Sequence, residues 1–205
     1  MTLKLYHFPN TRSLRVLWAL EELGLEAEIE TRQMDRAKMK APEYLALNPL
    51  GKTPVMFDGD ERIVESTAMI EYLANKYADG RLMRRPDDSD YGRYLQWLHF
   101  GEAGMGGYIN MLIAQTAILP EEHRIPAMKV WAEKETKNCL DFIEASLGDD
   151  GYLLDEFSLA DISVIYPLFL VKITKNGALM GDKTNAYFKR ATAREAWKKA
   201  CARVD

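Results

Sequence analysis

The chain is poor in the residues that build metal centres, redox pairs and disulfide frameworks. It has two cysteines and three histidines in 205 residues. Cys139 and Cys201 form no C-x-x-C, and no Cys/His spacing resembles a zinc site, so both cysteines read as small apolar residues on helices and no metal is expected. Net positive charge is missing as well. With 27 Lys and Arg against 31 Asp and Glu, the formal charge is −4, which gives no long-range pull on a phosphate backbone and excludes nucleic acid as a partner. The local cluster Arg81, Arg84 and Arg85, beside Pro86 and several acids, reads as a solvated linker. Long hydrophobic runs are absent too. The longest, Ile162 to Val171, is interrupted by Ser163, Tyr166 and Pro167 and is too short to cross a bilayer. Met1 leads straight into Leu3-Lys4-Leu5-Tyr6 with no charged-then-apolar leader, so the expectation is a cytoplasmic protein without membrane association. There is no internal repeat and no low-complexity tract.

What is present is a hydrophobic pattern, 47% of the residues, whose period changes once. Residues 3–8 alternate like a strand, and a helix follows from about Arg12 to Leu23, with Gly24 placed to close it in the left-handed conformation. Ala27 to Thr31 and Pro54 to Phe57 are strand candidates. Asp58-Gly59-Asp60 is a tight turn, Arg62 to Val64 the return strand of a hairpin, and Ser66 to Tyr77 a helix. This order predicts an α/β domain over residues 1–78 with a mixed four-stranded sheet. Asp79 to about residue 87 reads as a linker. Residues 88–205 carry only helical periodicities, broken at Leu119-Pro120 and at Gly148-Asp149-Asp150-Gly151, and predict an all-helical domain.

Four short segments carry chemistry or folding information. Pro9-Asn10-Thr11-Arg12-Ser13 joins the first strand to the first helix, where unpaired N–H groups and the helix dipole favour an anion and a hydroxyl could add a hydrogen bond. Asn10, Thr11 and Ser13 could equally be simple caps. Asn48-Pro49-Leu50-Gly51-Lys52-Thr53-Pro54-Val55 puts a proline at a strand start. There a cis bond would turn the Thr53 backbone outward to pair with an extended peptide ligand, and an ordinary trans proline is the alternative. Glu65-Ser66-Thr67-Ala68-Met69-Ile70 sets an acid just before a helix start: the Ser66 hydroxyl and helix N–H groups suit a carboxylate, and Glu65 suits an ammonium. Ser158-Leu159-Ala160-Asp161 is an S-x-x-D capping box between Phe157 and Ile162, with the Asp161 half expected to contribute about 1 kcal/mol.

In combination, N-P-L-G-K-T-P, E-S-T-A-M-I and S-L-A-D-I at these separations resemble the soluble glutathione transferase superfamily over essentially the whole chain, as a serine/threonine-type, bacterial-like member. The resemblance implies a thioredoxin-like N-terminal domain that binds glutathione as co-substrate, a cis Pro54, an all-helical domain that holds a small hydrophobic electrophile, and a homodimer. It implies that Glu65 and Ser66 hold the γ-glutamyl head group, that the Thr53 backbone pairs with the cysteinyl unit, and that Lys52 lies near the glycine end, with Lys38 or Lys40 as further candidates. The electrophile is expected between the first helix and the helical domain, near Phe8, Met105 and Tyr108. An aromatic and Met stripe at this helical spacing can also be plain core.

The residue that activates the thiol follows less directly. Tyr-type classes place a tyrosine just before Phe-Pro; here that position is His7, and Tyr6, one residue early, faces the other side of the strand. Cysteine-using classes need a cysteine near position 11, and this chain has none there. Serine-type classes place a hydroxyl four residues before the helix arginine, which matches Thr11 before Arg15. Ser13 and Asn10 remain alternative donors. The expected activity is attack of the thiolate on an electrophile, with peroxide reduction, isomerisation or a non-catalytic scaffold of the same fold as alternatives.

Overall fold

The computed structural model describes residues 3–149 and 151–204, so Asp150 of the Gly148–Gly151 break lies outside it. The chain divides into two compact units. One holds the described residues up to Met83 together with those from Ala193 onward; the other is Arg84–Thr192.

The first unit contains β1 (Leu3–His7), α1 (Ser13–Leu23), β2 (Glu28–Thr31), α2 (Pro42–Leu47), β3 (Val55–Asp58), β4 (Glu61–Ile63) and α3 (Ser66–Tyr77). The sheet order is β2-β1-β3-β4, with β1 parallel to β2 and antiparallel to β3, and β3 antiparallel to β4. The mixed four-stranded sheet expected from the sequence is present. Crossover α1 makes the parallel pair possible, while the Gly59-Asp60 turn closes the hairpin. Gly24 caps α1 at φ 64°.

Helix α1 is buried along nearly its whole length, Ser13 to Leu20 and Leu23 included, because it lies on the sheet and packs against α3. Its remaining side is covered by the chain's last helix, α9, Glu195–Ala202. Trp197 meets Trp18 edge-on at 4.8 Å. Glu22 accepts from Trp18 Nε1 at 2.9 Å and from both ends of the Arg194 fork at 2.6 and 2.7 Å. The expected boundaries kept 88–205 together; here the segment from Ala193 joins the first unit, because Trp18 and Glu22 on the outer side of α1 are met by Trp197 and Arg194.

In the second unit, α4 (Tyr91–His99) runs through a π-helical turn, Phe100–Gly104, into α5 (Gly106–Ile113), followed by α6 (Pro126–Ser146), α7 (Leu159–Ile173) and α8 (Asp182–Thr192). Helix α7 is buried on all sides from Leu159 to Leu168, which accounts for the longest apolar stretch as a central core helix. Among the described residues no helix is long and apolar enough to cross a membrane. Gly101 lets α7 come close: a Cβ there would stand 2.4 Å from the Ser163 carbonyl oxygen.

The capping box at the start of α7 is larger than its motif. Asp161 is fully buried, accepting from Ser158 N–H at 2.8 Å, Ser158 Oγ at 3.0 Å, Leu153 N–H at 3.1 Å and Tyr187 Oη at 2.8 Å. Burial pushes its carboxyl pKa up, against the pull of those donors. Removing the carboxylate strands four donors rather than one, so the cost exceeds a single cap. Asp161→Ala is expected to lower the unfolding free energy by at least about 3 kcal/mol, measured by denaturant titration; a loss near about 1 kcal/mol would mean the motif acts only as a local cap.

Candidate active site

The site begins where β1 turns into α1. Phe8 C=O accepts from Thr11 N–H at 3.2 Å, closing a four-residue turn whose central positions are Pro9 and Asn10. Asn10 has φ 61°, the left-handed backbone that Asn tolerates better than most residues, and a proline before it matches a type II turn. The turn delivers two hydroxyls to one spot. Thr11 Oγ1 donates to Phe8 C=O at 2.8 Å and lies 2.9 Å from Ser13 Oγ. Ser13, the first residue of α1, is fully buried: its Oγ accepts from Phe8 N–H at 3.1 Å, donates to Phe8 C=O at 3.0 Å, and lies 2.7 Å from His7 Nδ1. Thr11 is only half-buried and Asn10 is exposed.

His7 is buried at the end of β1, on the face shared by Leu3 and Leu5. Its second ring nitrogen, Nε2, is 3.1 Å from the carbonyl oxygen of Arg203, just past the end of α9. Burial lowers the His7 pKa below its ordinary value. The neighbouring Tyr6 points to the opposite face, edge-on to Phe57 at 6.1 Å and covered by the Arg32 guanidinium at 4.9 Å.

Register brings the second motif alongside. Because Tyr6 pairs with Val55 across the antiparallel ladder, the end of β1 lies beside the start of β3, where the Thr53–Pro54 bond is cis. The preceding loop is held from inside: Asn48 Nδ2 and Tyr44 Oη both donate to the Lys52 carbonyl, at 2.7 and 2.8 Å, and Leu50 N–H donates to Asn48 Oδ1 at 3.0 Å. Lys52 points to solvent, Lys40 Nζ donates to the Leu50 carbonyl at 2.9 Å, and Lys38 faces Asp35 at 3.8 Å.

The third motif opens α3. Glu65 is exposed at φ 73°, ψ 112°, a backbone that L residues rarely adopt and that costs on the order of 1–3 kcal/mol. Ser66 beside it is buried and accepts from Arg15 Nη1 at 3.1 Å. That bond ties the first turn of α1 to the first turn of α3. It also occupies a Ser66 lone pair and leaves the hydroxyl its own proton to donate. Arg15 is itself buried, a charged residue among the apolar positions of α1, and that pattern is the sequence signal for its role.

The residues expected around an electrophile are placed differently. Phe8 is buried in a small cluster with Met39 and Tyr44, its ring edge-on to Tyr44 at 5.6 Å. In the second unit Met105 is fully buried, while Tyr108 is half-buried with its ring edge-on to Trp131 at 5.4 Å.

Comparison with known proteins bears on the same residues. Residues 1–75 match the family described as glutathione S-transferase, N-terminal domain. Glutathione S-transferase 3 of Zea mays is 31% identical over 210 residues, covering 98% of this chain and 94% of the relative. Glutathione S-transferase 3 of Schizosaccharomyces pombe is 32% identical over 177 residues, 80% of this chain and 72% of that protein. Among solved structures, glutathione transferase URE2P6 from Phanerochaete chrysosporium in complex with oxidised glutathione is 29% identical, covers 100% of this chain and 98% of its own, and superposes with a TM-score of 0.84.

The loop before Thr53 depends on one glycine. Gly51 has φ 57°, and a Cβ there would stand 2.6 Å from the Met39 carbonyl oxygen. Gly51→Ala is expected to destabilise the protein by at least about 1–2 kcal/mol in thermal unfolding; an unchanged melting temperature would mean the loop adopts another backbone.

Proposed function

The chain belongs to the glutathione S-transferase family and is an enzyme of it; from that premise we propose that its first unit binds glutathione along the Thr11, Thr53 and Ser66 line, and that the Thr11 hydroxyl holds the sulfur as a thiolate for attack on a small hydrophobic electrophile. The observation that carries this reading is that three helix or strand starts converge at one end of one sheet, each offering a donor suited to a different part of an extended γ-glutamyl peptide. Glu65 takes the ammonium and Ser66 with the first turn of α3 the carboxylate of the γ-glutamyl head, the Thr53 backbone beside Pro54 the cysteinyl unit, and Lys52 the glycine end.

The geometry favours Thr11 among the three hydroxyl or amide candidates. Ser13 is fully enclosed and committed to His7 and Phe8, and Asn10 stands at the tip of the turn. Thr11 is half-buried, and the Phe8 carbonyl that takes its proton also accepts the Thr11 N–H, so the hydroxyl can swing to a ligand without stranding a buried acceptor. A thiol pKa near about 8.5 must fall by about two units for a thiolate to dominate at neutral pH, which is roughly 3 kcal/mol. One hydrogen bond to a charged sulfur supplies about 1.5–3 kcal/mol and the start of α1 up to about 1 kcal/mol more. For the electrophile, the half-buried Tyr108 of the second unit offers ring surface. The proposed assembly is a homodimer.

Two substitutions test this. Thr11→Ala should raise the pKa of bound glutathione by about one to two units and lower activity near neutral pH about ten- to a hundredfold, recovering as pH rises, whereas Thr11→Ser should keep most of it. An unaltered thiolate absorbance titration in Thr11→Ala would sink the role. Glu65→Ala should weaken glutathione binding about ten- to a hundredfold by calorimetry while the melting temperature holds; full affinity would place the head group elsewhere.

A further inference from the structure

Behind Thr11 the structure holds an unbroken file of proton-carrying groups. Thr11 Oγ1 is 2.9 Å from Ser13 Oγ, and Ser13 Oγ is 2.7 Å from His7 Nδ1. The direction of that file follows from its far end. The Arg203 carbonyl oxygen, 3.1 Å from His7 Nε2, can only accept, so a neutral His7 carries its hydrogen on Nε2. Nδ1 then presents a bare lone pair to Ser13, whose single proton has two acceptors in reach, Nδ1 at 2.7 Å and the Phe8 carbonyl at 3.0 Å. The same lone pair is the one basic site in a row of hydroxyls, and it is enclosed: His7 is 1% exposed and Ser13 0%. The Arg203 guanidinium also acts on His7, lowering its pKa, and stands 3.8 Å from Glu21.

We propose that His7 accepts the proton of the bound thiol through Thr11 and Ser13. The inference rests on the reading of Thr11 above. In the step, the Thr11 hydroxyl turns from the Phe8 carbonyl toward Ser13, the S–H bond breaks as the thiol proton moves to Thr11 Oγ1, the Thr11 proton passes to Ser13 Oγ, and the Ser13 proton passes to His7 Nδ1. The products are a thiolate that accepts from Thr11 O–H and an imidazolium that donates from Nδ1 to Ser13 and from Nε2 to Arg203 C=O. Charge is conserved inside the protein and no proton goes to water. Burial, which keeps His7 neutral before the ligand arrives, keeps the acceptor empty. The cationic product is held by its two hydrogen bonds and by attraction to the thiolate at the other end of the file. His7 touches no substrate atom; it acts through the two hydroxyls.

The decisive measurement is a proton count. Glutathione binding to the full-length protein near neutral pH is followed by calorimetry in buffers of different ionisation enthalpy, and the thiolate formed is measured by its ultraviolet absorbance. The expected result is that thiolate appears with far less than one proton released per thiolate, and that the ring nitrogen resonances of His7 move to imidazolium positions on binding. In His7→Gln, which keeps a donor toward Arg203 C=O, and in His7→Asn, which keeps an acceptor toward Ser13, neither side chain can take the proton. Each thiolate should then be matched by a released proton, and the bound thiol pKa should rise by about one unit. One proton released per thiolate in the unsubstituted protein overturns the proposal, and that count needs no variant to fold. Failure of the Thr11 reading is separate: it appears as an unchanged thiolate absorbance titration in Thr11→Ala, whatever the proton count.

Discussion

The buried hydroxyl of Ser13 is the small constraint on which the site's geometry turns. A strand that ends in a tight turn and re-enters a helix leaves unpaired N–H groups in a region closed to water, and each unpaired group costs about 1–3 kcal/mol. Ser13 answers this by accepting from Phe8 N–H across the turn while standing against the His7 ring. The turn is thereby fixed in one shape, and Thr11, between its two ends, has no freedom to drift. For the proposed role position matters, since a donor held in place has only to turn its hydroxyl from the Phe8 carbonyl to a ligand.

Each unit also hides one charged group at a helix start and organises itself around it. In the first, Arg15 lies in α1 and reaches Ser66 at the head of α3, so two helix N-termini are registered against each other. In the second, Asp161 gathers Ser158, Leu153 and Tyr187 at the head of α7. Burying an isolated charge costs several kcal/mol, and such groups persist where hydrogen bonds replace the lost water. Arg15 holds together the two segments proposed to hold glutathione, whereas Asp161 holds the start of one core helix.

Residues that dictate their own backbone were the legible ones. Ser66 starts α3 and Gly24 ends α1 as their residue types demand, the Gly-Lys-Thr-Pro stretch gives a left-handed glycine followed by a strand-opening proline, and the alternation of Leu3, Leu5 and His7 marks one face of β1. Illegible were the contacts whose partners lie far along the chain. Nothing local in His7 announces the Arg203 carbonyl 196 residues away; an alternating position on an apolar face reads as core. Likewise Trp197 and Arg194 look like any amphipathic helix until Trp18 and Glu22 are seen to receive them. The reach of Asp161 beyond its own motif to Leu153 and Tyr187 was hidden for the same reason.

The return of the chain's end to its first strand joins two deficits that remedy each other. Arg203 closes α9, and the last carbonyls of a helix have no partner within it. His7, buried at the end of β1, has two ring nitrogens and needs a partner for each. When the Arg203 carbonyl accepts from Nε2–H, the helix end is satisfied and the imidazole is confined to one tautomer. That tautomer leaves Nδ1 unprotonated, facing Ser13. Docking of α9 through Trp197 and Arg194 is therefore more than a cover for α1: it reaches the turn through the His7 ring and fixes which ring nitrogen faces Ser13 without a proton.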